Sequence, residues 1–224
     1  FGRFPQLSEL SDLLAERGLT ALFQHVMTAP TPSLRRWIEP LWAQCKATDD
    51  ATTADFWIRN WRRNHPSDEA AVDRGVLAFL FMNVVELNPG DSIFQGANVP
   101  HAYLGGQCVE IMANSDNVLR GGLTPKYVDP VGLAAHIRFE SSTEFPQTAP
   151  ANLREFALRA FSSASSDTSH YRPRSLAIAL SLGSKNQIGD RELAAGESAL
   201  LRPDHKYLIR PSPRQGLVVV ADVA

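Results

Sequence analysis

The run Leu87-Asn-Pro-Gly90-Asp-Ser-Ile-Phe94 is followed by Pro100-His101-Ala-Tyr103-Leu104. The pattern returns as Leu193-Ala-Ala-Gly196-Glu-Ser-Ala-Leu200, followed by Asp204-His205-Lys-Tyr207-Leu208. Each copy reads as a glycine turn joining two strands, with a His-x-Tyr-Leu group opening the next strand. Two such units in one chain point to a duplicated β-barrel module.

The chain ahead of the first copy has a different texture. Residues 1 to about 75 read as a helical unit. Leu7, Leu10, Leu13 and Leu14 recur at helical spacing, and Gly18 is expected to end that element before a second run from Thr20 to Met27. Ser33 is the expected N-cap of a helix carrying Leu34, Trp37, Ile38, Leu41 and Trp42, with Pro40 forcing a kink or a split. A further helix holds Phe56, Trp57, Ile58 and Trp61, and another starts at Ser67-Asp68-Glu69. All four tryptophans lie in this unit and are expected to pack helix against helix rather than to stack on sugar. The cluster Arg59, Arg62 and Arg63 reads as a solvated face.

From about residue 76 strand signals take over, with Val84–Leu87 and Ile93–Phe94 expected as strands around the Asn88-Pro89-Gly90 turn. Pro130 to Phe139 is expected to hold a short helix. Residues 141 to 150 read as a linker and Ser162 to Ser169 as a loop. Leu176–Leu182 and Leu217–Val220 are apolar strands of the second β unit. The division is therefore 1–75 helical, 76–145 first barrel and 146–224 second β unit, in an α+β chain.

A hydrophobic share of 44% supports a packed core, and a net charge of -2 with both signs scattered gives neither a nucleic-acid stripe nor an anionic-membrane patch. No apolar run reaches the ~20 residues of a bilayer span. The two cysteines, Cys45 and Cys108, make neither a disulfide framework nor a CxxC knuckle and are expected to be buried thiols. No signal peptide opens the chain, so a cytoplasmic location is the default.

Chemistry concentrates between Leu87 and Asp129. His101, Tyr103, Glu110, Asn114, Asp116, Asn117, Arg120, Thr124 and Lys126 fall among short strands. Alternate strand residues of a small barrel point inward, and polar groups placed there need one another, a metal or a ligand. Imidazole, carboxylate, guanidinium and ammonium types converging in one stretch suit a charged, hydroxyl-rich molecule.

The continuous pieces Leu87-Asn-Pro-Gly-Asp91, Ala97-Asn-Val-Pro-His-Ala-Tyr-Leu104, Met112-Ala-Asn-Ser-Asp-Asn-Val-Leu-Arg120 and Gly122-Leu-Thr-Pro-Lys126 closely resemble the signature region of type I mannose-6-phosphate isomerases. A weaker resemblance runs from Phe4 to the last strand and matches the C-terminal portion of that family. It implies cupin-type (jelly-roll) β-barrel units with an all-helical insertion. It also implies Zn2+ as cofactor and interconversion of mannose 6-phosphate and fructose 6-phosphate through an enediol-type intermediate. His101 matches the family's metal-ligand histidine and Arg120 its catalytic arginine. The resemblance makes Lys126 a candidate for the phosphate or the enediol, and Tyr103 a pocket-lining residue. Glu110 and Asp116 are left as candidates for orienting groups or the proton-transfer base. Arg120 paired with Glu110 or Asp116 is a compatible structural reading. His205 occupies the echo position without matching acid and arginine, and is taken as a packing or surface histidine.

The family also draws a Gln-x-His pair and a Glu into its zinc site, and no such string occurs in this chain. The chain opens on Phe1 rather than Met. An N-terminal segment carrying those ligands is therefore the expected partner, and the chain alone is expected to be inactive and to expose apolar strand faces. The competing reading is a non-catalytic cupin-like module that binds a sugar or a protein. A cupin isomerase with another sugar substrate is a third.

Overall fold

A computed structural model describes residues 1–115, 117–139, 153–163 and 169–223. Two compact units form. One comprises residues 1–106 and the described residues from 117 to 139, and the other comprises residues 107–115 and the described residues from 153 onward.

The first unit is helical up to residue 80. Helices α1 (Ser8–Thr28), α2 (Thr31–Ile38), α3 (Leu41–Gln44), α4 (Ala54–Asn64) and α5 (Asp68–Ala71) precede a 3-10 turn at Arg74–Leu80, and α6 (Pro130–His136) returns later in the chain. Gly18, at φ 77°, breaks α1 where the sequence placed an end. Pro40 separates α2 from α3, so the expected kink is a split. The cap assignment is corrected: Ser33 lies inside α2, which starts from Pro30 with Pro32 in its first turn, where a missing N–H costs nothing.

The core gathers Leu10, Leu22 and Val26 of α1, Leu34, Trp37 and Ile38 of α2, Ile58 of α4, and Val76 and Leu77 of the 3-10 turn. The tryptophans pack here as expected. Trp37 is buried, and Trp42, Trp57 and Trp61 lean on the same cluster half-buried. Arg3 grips Asp55 with both guanidinium nitrogens, tying the first residues to α4 and holding the Asp55 carboxyl below the usual carboxylate range.

The second unit is an antiparallel double sheet. Strands β1 (Ala157–Ser162), β8 (Leu217–Asp222), β3 (Ala177–Leu182) and β6 (Ser198–Leu201) form one four-stranded sheet in that order. Strands β2 (Ser169–Tyr171), β7 (Tyr207–Arg210), β4 (Asn186–Ile188) and β5 (Arg191–Leu193) form the other. Alternation places Ala177, Ala179, Val218, Val220, Ile188, Leu201 and Ile209 in the shared core. The Tyr171 hydroxyl donates to Asp222 across the two sheets, and burial with that bond pushes the phenol up to about 12.

Asn186 closes one end of this unit. Its Nδ2 donates to Ser181 Oγ at 2.9 Å and to the Ser184 carbonyl at 2.9 Å, while its Oδ1 accepts from the Ser212 N–H at 2.9 Å. Removing it leaves buried donors and acceptors unpaired, at about 1–3 kcal/mol for each stranded group. Asn186→Ala is therefore expected to lower the unit's stability by roughly 3 kcal/mol in chemical denaturation. A loss under about 0.5 kcal/mol, the usual range for surface sites, would show that the network is dispensable.

The internal echo is visible in backbone detail. In the first copy the Asp91 N–H donates to the Asn88 carbonyl at 2.9 Å, and an Asp91 carboxylate oxygen accepts back from the Asn88 N–H at 2.8 Å. In the second, Glu197 and Ala194 make the same pair of bonds at 3.1 and 2.7 Å. The third turn residue is glycine at φ 98° and 88° respectively, the left-handed position of a type II turn. The copies differ in what flanks the turn. Ser198–Leu201 and Tyr207–Arg210 are paired strands, whereas among the described residues none from 81 to 129 forms a strand. The strands expected at Val84–Leu87 and Ile93–Phe94 are thus not formed. A strand exists only through a hydrogen-bonded neighbour, and no described segment pairs with them. The same stretch exposes Leu87, Val99, Met112, Val118 and Leu119.

Candidate active site

His101 lies on an exposed segment held at both ends. The Arg138 N–H donates to the Asn98 carbonyl at 2.9 Å, while Leu104 packs on the helical core and Gly105 faces the Trp57 ring. His101 Nδ1 lies 3.0 Å from the Val99 carbonyl oxygen. A carbonyl only accepts, so this contact selects the Nδ1–H tautomer and leaves the Nε2 lone pair free. The Tyr103 ring stands edge-on to the imidazole at 5.9 Å and is 61% exposed.

Arg120 opens a loop that closes on Asp129, and Lys126 lies within it. The Asp129 N–H donates to the Arg120 carbonyl at 3.0 Å, and Asp129 then caps α6 by accepting from the Gly132 N–H at 2.8 Å. The loop's early residues are anchored. Leu123 packs against the helical core, and a Cβ at Gly121 would lie 2.5 Å from Leu133 Cδ2 and 3.2 Å from Met27 Sδ. The far side is open: Lys126 is exposed and Tyr127 is 85% exposed. Arg120 is half-buried.

One residue of this arrangement escaped the sequence reading. Asp73, at the start of the 3-10 turn, accepts from the Gly75 N–H at 2.7 Å and, through its other oxygen, from the Leu123 N–H at 3.0 Å. Burial raises its carboxyl above the usual value, against the pull of those two bonds. The available signal was an aspartate directly before Arg-Gly, a turn-capping pattern.

Of the other expected site residues, Glu110 is exposed in the second unit and Asp116 lies outside the described residues. His205 is exposed beside Tyr207, as a surface histidine. Cys45 is buried, with its thiol pushed up to about 12 by burial, but Cys108 is exposed, contrary to expectation. Among the described residues no three His, Cys, Asp or Glu side chains gather at a metal-binding distance. The donor chemistry of His101 fits zinc, because a free Nε2 backed by an Nδ1–H···O=C bond is how ligating histidines are oriented. One such ligand falls short of the three or four that zinc takes.

An α+β chain with a helical unit and cupin-type double-sheet architecture is thus the class defined by the fold. No family model matches the chain. The mannose-6-phosphate isomerase of Escherichia coli (strain K12) is 56% identical over 69 residues, 31% of this chain and 18% of that protein. A probable mannose-6-phosphate isomerase of Caenorhabditis elegans is 34% identical over 140 residues, 62% of this chain and 32% of its own. The solved mannose 6-phosphate isomerase from Salmonella typhimurium, bound to fructose 6-phosphate and zinc, superposes with a TM-score of 0.77. It is 27% identical, with 99% of this chain and 58% of that one covered. The resemblance to mannose-6-phosphate isomerases therefore holds in sequence and in fold, and the matches span a third or less of the curated relatives' length. No described helix is long and apolar enough to cross a membrane.

Proposed function

We propose that the chain carries part of the active site of a zinc-dependent isomerase interconverting mannose 6-phosphate and fructose 6-phosphate. The observation that carries this reading is the 3.0 Å contact of His101 Nδ1 with the Val99 carbonyl oxygen, which turns Nε2 to the role of a metal ligand. His101 would hold zinc together with ligands from a segment outside this sequence, and residues 82–129 would be barrel strands that pair with the same segment. The exposed Leu87, Val99, Val118 and Leu119 support that pairing.

Zinc, when bound, supplies Lewis-acid polarisation of sugar oxygens. The chain's own residues do the rest. As a proton is taken from C2 of the aldose and returned at C1 to give the ketose, negative charge grows on the C1 and C2 oxygens of an enediol-type intermediate. Arg120 would stabilise that charge, since its planar fork suits two neighbouring oxygens. Lys126 offers a point charge to the phosphate, and Tyr103 lines the pocket. Glu110 and Asp116 are the carboxylates proposed for proton transfer or for orienting the substrate.

The test is turnover of mannose 6-phosphate by this chain alone and by the chain joined to the corresponding N-terminal segment of a relative. Activity only in the joined sample is the expected result. Substantial turnover by the chain alone with zinc would mean that its own side chains complete the site. No turnover in either sample would favour a non-catalytic cupin module.

A further inference from the structure

We infer that Asp73 is a positioning residue for the Arg120–Lys126 loop, acting through the backbone of Leu123; the inference rests on the isomerase reading above. The sequence separates the two partners widely, yet four features converge on one contact. Asp73 spends both carboxylate oxygens on backbone N–H groups, one in its own turn and one in the distant loop. Gly122 runs directly over that carboxylate at φ 153°, and a Cβ there would sit on Asp73 Oδ1. Gly75 makes the matching approach from below, where a Cβ would lie 2.7 Å from Leu123 Cγ. Leu123 itself holds a left-handed φ of 56°, a backbone state that a leucine keeps only when its surroundings fix it.

The contact is part-buried, while of the residues it serves Arg120 is half-buried and Lys126 is exposed. Arg120 lies three positions before Leu123 and Lys126 three after, so the anchor sits midway between the two cations of the proposed site. Fixing Leu123 limits the arc over which both can swing. A displacement of about 1 Å at a catalytic group far from the mutation can cost roughly 100-fold in rate.

Asp73→Asn keeps the shape but leaves a single acceptor oxygen for two N–H groups. Asp73→Ser can still cap Gly75 yet is too short to reach Leu123. Gly122→Ala pushes the loop off an intact Asp73. In all three, amide exchange at Leu123 is expected to accelerate about tenfold or more, the equivalent of one lost hydrogen bond, with Val26 of α1 unchanged. In the joined sample kcat is expected to fall roughly 100-fold while KM stays within about threefold, since the loss falls on the transition state. Undisturbed Leu123 exchange in Asp73→Asn would overturn the inference, and so would a released Leu123 with kcat unchanged. Should Asp73→Asn fail to fold, Gly122→Ala and Asp73→Ser decide. A joined wild-type sample without turnover would defeat the isomerase reading alone, and Leu123 exchange would then decide the anchor by itself.

Discussion

Arg120→Ala in the joined, zinc-loaded protein is expected to lower kcat by about 10²–10³-fold while leaving metal content unchanged. The reason lies in when the guanidinium is needed. The sugar oxygens carry little charge in the bound substrate and most of it in the enediol-type state, so a fixed cation there favours the transition state over the ground state. Arg120→Lys is expected to recover little of the loss, because a flexible ammonium cannot present two parallel donors. The half-buried setting of Arg120 and its carbonyl bond to Asp129 hold the residue's backbone in place, so the alanine variant should keep its fold. Steady-state kinetics with parallel zinc analysis decides the matter. A kcat within threefold of wild type would remove Arg120 from the chemistry.

Trp37→Ala is expected to give the largest loss of stability in the helical unit, about 3–5 kcal/mol. Trp37 is 1% exposed at the centre of the cluster formed by α1, α2 and α4. Its indole N–H donates to Glu9, which also receives Arg36, so the change removes both a large apolar volume and one arm of a polar bridge. The surrounding helices cannot collapse into a void of that size without breaking their other contacts. Loss of the helical circular-dichroism signal on heating should shift down by roughly 10 °C. Trp57→Ala, at a half-exposed position, should shift it far less. Equal shifts for the two would contradict the packing described.

The sequence was most informative where local chemistry dictates backbone. Gly18 and Pro40 interrupt helices wherever they fall, and the two glycine turns at Gly90 and Gly196 fold alike because an acid follows each glycine and bonds back to the turn's first N–H. The strands Leu176–Leu182 and Leu217–Val220 were legible as short apolar runs, and they form as β3 and β8. Legibility failed where structure depends on a distant partner. Val84–Leu87 and Ile93–Phe94 carry strand composition, but a strand is a property of a pair. The Asp73–Leu123 contact joins two turns far apart in the chain, and nothing in either turn names the other. Ser33 was misjudged as a cap because a serine before an apolar run competes with Pro32, whose fixed φ starts the helix earlier. Within the candidate site, His101 and Arg120 stand out as candidates through a continuous motif, while the contact of His101 Nδ1 with the Val99 carbonyl belongs to the structure alone.

His101 is proposed as a zinc ligand in a site completed from outside this sequence. Zinc per protein should be measured by elemental analysis after exhaustive dialysis, in the joined sample with His101 intact and with His101→Ala. About one zinc is expected with His101 and a loss of most of it without. Full zinc retention in His101→Ala would remove His101 from the metal site and place the metal elsewhere.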